Sequence, residues 1–223
     1  MHIPDGFIDI KTSAAFAAAS ALAVAGAVKG ARRQLSEQSA PLAGLTAVFI
    51  FAVQMLNFPV AAGTSGHLIG AALAMVLVGP YAATLALVVV LIIQAFLFAD
   101  GGLTALGLSI FNMAVISVWV SFAVFMLLKK IFPKTKSWLV IATFVSALIS
   151  VPAAAVGFVI QYAIGANATF SVGAVLNAMV GTHIIIGIGE AIITALTVSA
   201  VLASRSDLVF GWDKKNATLE IRS

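Results

Sequence analysis

Apolar positions in this chain come in long blocks, and polar positions are confined to the short joints between them. A half-buried strand would alternate apolar with polar, and a surface helix would repeat an apolar position every three or four residues. Neither rhythm is kept here, so the blocks read as helices that are apolar all round, as in a bilayer. A crossing takes about 20 residues. On that scale the pattern predicts spans over 10–28, 41–58, 81–99, 103–128, 138–164 and 171–204, with an interrupted stretch over 59–78 making a seventh.

The joints decide the orientation. Lys29, Arg32 and Arg33 follow the first span, Lys129, Lys130, Lys134 and Lys136 the fifth, and Arg205, Lys214, Lys215 and Arg222 the last. Basic residues collect on the cytoplasmic side. If all three clusters lie there, Lys11 alone of the 12 Lys and Arg residues stays outside. That arrangement needs an outer N-terminus, a cytoplasmic C-terminus and an odd number of crossings. Seven meets the condition and six does not.

Composition agrees with this picture. Of the 223 residues 62% are hydrophobic and 9% charged, whereas soluble domains carry roughly 25% charge. The expected fold is an all-α integral membrane protein in the lipid bilayer, one unit over 1–223 with an N-terminal stub over 1–9 and a short cytoplasmic tail over 205–223. Cysteine is absent, which excludes disulfides, thiolate metal sites and cysteine nucleophiles together. The pI of about 9.6 reflects the topological clusters and does not indicate nucleic acid. Small residues recur in span one (Ala17, Ala21, Ala25; Gly26, Gly30), a spacing that permits close helix approach with or without a partner protein.

The interrupted stretch reads PVAAGTSGHLIGAALAMVLVGP. From His67 to Val78 it is too short to cross by itself, and the segment before it is small, uncharged and rich in helix breakers. Irregular backbone at membrane depth survives only inside protein or along a cavity, and such broken segments are where transporters place binding sites. A re-entrant loop leading into a short third helix that starts near His67 fits both conditions. A helix N-terminus favours the uncharged imidazole, the form that ligates metals. The bland alternative is a histidine hydrogen-bonded within a packed loop.

The N-terminus, MHIPDGF, sharpens the choice. A free α-amine has a pKa near 8, so a metal can displace its proton at neutral pH. The amine of Met1, the peptide nitrogen of His2 and the His2 Nδ1 can close a five-membered and a six-membered chelate ring on one ion. Planar nitrogen ligation of this kind points to Ni(II) or Cu(II). His67 can fill the remaining corner. Met1 must be retained for this, which a bulky second residue favours. Asp5 and Asp9 either support the ligands from behind or form a solvated approach to span one. Thr64 and Ser65 are placed to orient His67 or the stub.

MHIPDGF, GHLIG at 66–70, DGGLTALGLSIFNMA at 100–114 and GTHIIIGIGEAIIT at 181–194 together resemble the NikM/CbiM group. Its members are the substrate-binding (S) components of energy-coupling factor (ECF) transporters for nickel and cobalt. The likeness runs over nearly the whole chain in order. It implies that Met1, His2 and His67 hold nickel or cobalt as the transported substrate, with no cofactor; planar nitrogen ligation ranks nickel first. It also implies a bacterial or archaeal cell membrane and three kinds of partner: a transmembrane T component, cytoplasmic ATPase subunits and a small accessory membrane subunit. The sequence contains no GxxxxGK[ST] phosphate loop, so it is read as a transport subunit without its own ATPase and not as an enzyme.

Other polar residues fall within the apolar blocks. His183 and Glu190 are two helical turns apart and share a face, where they form a second polar layer or a buried pair linking helices, or else support the metal ligands from behind or serve the ion in transit. Gln94, Asn112, Gln161 and Asn177 read as interhelical hydrogen-bonding groups. Asp100, with Gly101 and Gly102, shapes the outer turn between spans four and five. Two competing functions stand beside the transporter. GTSG at 63–66 matches the short GxSG pattern of rhomboid intramembrane proteases, with Ser65 as nucleophile and His183 as base. That pattern is weak and leaves MHIPDG unexplained. A channel or proton-coupled metal carrier would be expected to show more paired intramembrane charges.

Overall fold

The computed structural model describes residues 1–34, 40–60, 64–133 and 135–212. Helix α1 spans Ile10–Gln34 and starts at Asp9, whose carboxylate accepts hydrogen bonds from the backbone N–H groups of Lys11 (2.9 Å) and Thr12 (3.0 Å) and from the Thr12 hydroxyl (2.8 Å). Asp9 is thus the N-cap of α1. Helix α2, Ala40–Gln54, has 15 residues, about 22 Å at 1.5 Å per residue, which is less than the roughly 30 Å of a hydrocarbon core.

The segment expected to be an irregular loop is a small antiparallel hairpin. Strand β1, Phe58–Val60, pairs with β2, Thr64–Gly66, in the register Phe58 to Gly66 and Val60 to Thr64. Helix α3 then runs from Ala71 to Leu97. Helix therefore begins four residues after His67, and the expectation of a helix starting near that residue is corrected. His67 to Gly70 stay non-helical because Gly70 sits at φ 78° as the residue before the helix, a backbone state open to glycine.

Helix α3 is broken at Gly79 (φ 80°, ψ 165°), which precedes Pro80. Proline lacks the N–H that would continue the ladder and crowds the preceding turn. This break falls between the blocks 59–78 and 81–99. Beyond it lie α4, Leu106–Ile110, a π-helical stretch, Phe111–Ile116, and α5, Ser117–Ile131, which follow one another without a gap. Helices α6, Lys136–Gly165, and α7, Val172–Ser204, complete the bundle, each capped by a hydroxyl, from Thr135 and Ser171 respectively.

Among the described residues five helices are long and apolar enough to cross a membrane, over Ile10–Arg33, Ala71–Leu97, Leu106–Ile131, Lys136–Gly165 and Val172–Ser204. A count of seven depends on adding α2 and on dividing α3 at Gly79. Helix α3 is central, packing against α1, α2, α5, α6 and α7. Part of the small-residue row of α1 serves the chain itself. A Cβ on Gly107 would lie 2.4 Å from the Cα of Ala17, and one on Gly30 would lie 2.3 Å from the Tyr81 ring.

Candidate metal centre

The stub over 1–9 is fastened between two loops. On one side Asp9 N–H donates to Gly165 O (2.7 Å) and Asn167 N–H to Phe7 O (3.1 Å), while Phe7 packs against Tyr162 (ring centroids 5.3 Å apart). On the other side Gly102 N–H donates to Ile3 O (2.8 Å), and Asp5 Oδ1 accepts from the Thr104 N–H (2.8 Å) and hydroxyl (2.5 Å). Gly102 has no room for a side chain, since a Cβ there would lie 2.3 Å from the Asp5 nitrogen. These contacts drive the chain's first residues inward, leaving Met1 0% and His2 5% exposed.

At the inner end the Met1 amine meets Nε2 of His67. Nδ1 of His67 lies 2.8 Å from Leu68 O, so the proton belongs on Nδ1 and the Nε2 lone pair faces the amine. The His2 ring stands beside it, centroid to centroid 4.8 Å. A tridentate chelate of amine, amide and Nδ1 fills three consecutive corners of a square, and the fourth corner neighbours both the amine and Nδ1. His67 lies beside the amine and the His2 ring. Burial lowers the Met1 amine from 8.0 to about 4, with the Asp100 charge opposing, and lowers His2 from 6.5 to about 3. Both groups thus offer lone pairs at neutral pH.

The His67 segment is clamped from two helices. Glu190 of α7 accepts from Ile69 N–H at 2.6 Å and Gly70 N–H at 3.0 Å, at the start of α3, where unpaired N–H groups favour a negative charge. Gln54 of α2 donates to Ile69 O at 2.7 Å. Glu190 therefore anchors the backbone behind His67. It does not pair with His183, whose Nδ1 lies 2.7 Å from Met179 O and whose Nε2 has no hydrogen-bond partner among the described residues.

Other expected residues take different places. Asp5 ties the stub to Thr104 at the surface, and Asp9 caps α1. Thr64 and Ser65 lie on β2, and their side chains fall outside the described residues. Asn112 Nδ2 donates to Gln161 Oε1 (2.7 Å), whereas Asn177 is exposed and the Gln94 amide has no hydrogen-bond partner among the described residues. Asp100, read from sequence as a turn residue, has its Oδ2 3.5 Å from His2 Nε2. The legible signal was a DGG turn at the same end of the bundle as the stub. Among the described residues no group of three or more His, Cys, Asp and Glu is arranged to hold an ion.

Residues 2–208 match the family described as "Cobalt uptake substrate-specific transmembrane region". The chain is 39% identical to the "Putative metal transport protein" of Haloquadratum walsbyi, over 94% of each chain. It is 38% identical to the "Putative fused nickel transport protein NikMN" of Archaeoglobus fulgidus, over 94% of this chain and 68% of that one. A crystal structure of a truncated transition-metal transporter superposes with a TM-score of 0.80 at 31% identity, covering 91% of this chain and 99% of the other.

Proposed function

The chain belongs to the CbiM family of cobalt-uptake substrate-specific transmembrane proteins, and from that premise we propose that it is the substrate-capture (S) subunit of an ECF importer for nickel first and cobalt second. The observation that carries this reading is the apposition of the buried Met1 amine to His67 Nε2, with the His2 ring alongside. The amine and both imidazoles present lone pairs, and the ion displaces one proton, from the His2 peptide nitrogen. Four nitrogens then surround it in a plane, the geometry that suits Ni(II).

The subunit lies in a bacterial or archaeal cell membrane with its N-terminus outside and its C-terminus in the cytoplasm. It crosses seven times, with α2 and the two arms of α3 counted separately. Capture is its whole task. A transmembrane T component, cytoplasmic ATPase subunits and a small accessory membrane subunit supply the energy and the release step. A Ser65–His183 protease reading leaves the apposition of the Met1 amine and His67 unexplained.

The test is nickel titration of the purified protein with an unmodified N-terminus. A yellow-orange d–d absorption is expected, and one added residue before Met1, or acetylation of the amine, should abolish it. A pale-green octahedral spectrum, or undiminished binding by the extended protein, overturns the reading.

A further inference from the structure

Chelation through Nδ1 leaves His2 one other ring nitrogen, Nε2, and that atom lies 3.5 Å from Asp100 Oδ2. The carboxylate is held there by several separate contacts. Asn57 Nδ2 donates to the same oxygen at 2.9 Å. The backbone N–H of Asp100 donates to Gln94 O at 3.0 Å, closing the end of α3. Ala99 sits at φ 51°, an uncommon conformation for a residue with a Cβ. Gly101 then passes so close beneath His2 that a Cβ on it would lie 3.1 Å from Nδ1. The whole turn is fitted to the imidazole.

Charge gives this contact a purpose. A divalent ion bound by one deprotonated amide and three neutral nitrogens keeps one positive charge. A net charge is costly away from water unless it is paired. The Asp100 carboxylate supplies the missing negative charge on the far side of the ring. It is 17% exposed, so it keeps contact with water before the ion arrives.

Resting on the metal-capture reading above, we propose that Asp100 is the positioning and charge-balancing residue of the site. It accepts the Nε2 proton of His2, which keeps Nδ1 free for the ion, and it brings the loaded centre to zero net charge. A carboxylate behind a ligating imidazole raises the basicity of the ligand, and its loss costs about 10–100-fold in affinity in known metal sites.

The experiment compares nickel titrations of the wild-type protein with Asp100→Asn, Asp100→Glu and Asn57→Ala, all with unmodified N-termini, beside the thermal stability of each metal-free protein. Asp100→Asn should bind nickel at least about tenfold more weakly while keeping its melting temperature. Asp100→Glu restores the charge and should recover part of the loss. Asn57→Ala loosens the carboxylate and should fall between. Wild-type affinity in Asp100→Asn, or an equal loss in Asn and Glu variants, overturns this inference and leaves metal capture standing. Should Asp100→Asn fail to fold, unchanged affinity in Asn57→Ala overturns it as well. Absence of nickel binding by the wild type overturns the capture reading itself.

Discussion

Glu190, in the middle of α7, holds the backbone N–H of Ile69 at 2.6 Å although 121 residues separate them. This contact spans the bundle and fixes the chain two residues beyond His67. Replacing Glu190 by Gln keeps the shape but turns one acceptor into a donor facing an N–H. Loss of such a charge-assisted bond costs about 1.5–3 kcal/mol, and a chain of this size loses about 2–4 °C per kcal/mol. Glu190→Gln should therefore lower the melting temperature by several degrees and weaken nickel binding, as thermal denaturation and titration would report. A variant with both values unchanged would mean that Glu190 does not anchor His67.

His2 and His67 should fail in different ways. His67→Ala removes one corner and leaves the chelate of amine, amide and Nδ1, so a planar nickel spectrum should persist at reduced affinity. His2→Ala removes the six-membered ring, and the planar spectrum should disappear. Each loss should reach on the order of a hundredfold, or about 2.8 kcal/mol. Absorption titrations of the two variants side by side decide the matter.

Gly102→Ala tests whether docking of the stub makes the site. The new Cβ would meet the Asp5 backbone nitrogen at 2.3 Å, while the helices around it keep their contacts. We expect loss of nickel binding with helical content retained in circular dichroism. Wild-type affinity in this variant would show that the 100–104 turn does not seat the stub.

Acidity offers an independent check. The Met1 amine is lowered from 8.0 to about 4 and His2 from 6.5 to about 3, so both are already neutral above about pH 5. Nickel capture at pH 7 should then release about one proton, from the His2 amide, which calorimetry in buffers of different ionisation enthalpy measures. Release of two or more would place protons on the amine or imidazole before binding. The linkage sign for the metal-free fold follows from the same shifts. Between pH 4 and 8 the unfolded amine holds a proton that the native one lacks, so stability rises with pH across that window.

Much of this architecture was legible in local sequence. Apolar blocks mark α1, α3, α5, α6 and α7 because a helix in lipid needs little more than sustained hydrophobicity. The boundary between the blocks 59–78 and 81–99 was legible too, and it falls at the Gly79–Pro80 break, since glycine and proline restrict or release the backbone whatever surrounds them. Met1 and His2 were legible as candidate donors because chelate ring size is set by adjacent covalent bonds, and His67 because it stands in a broken apolar segment.

Tertiary structure decided the rest. A hairpin over 58–66 and a helix starting at Ala71 depend on what packs around an otherwise ambiguous run of small residues. Asp100 reads as a turn residue until the turn folds over His2, and Glu190 as one of two polar groups on a shared helix face until α7 meets the start of α3. Hydrophobicity and chelate geometry are properties of neighbouring atoms and are written in the chain. Which carboxylate meets which nitrogen is set by contacts up to 121 residues apart in sequence, and only the packed bundle brings those groups together.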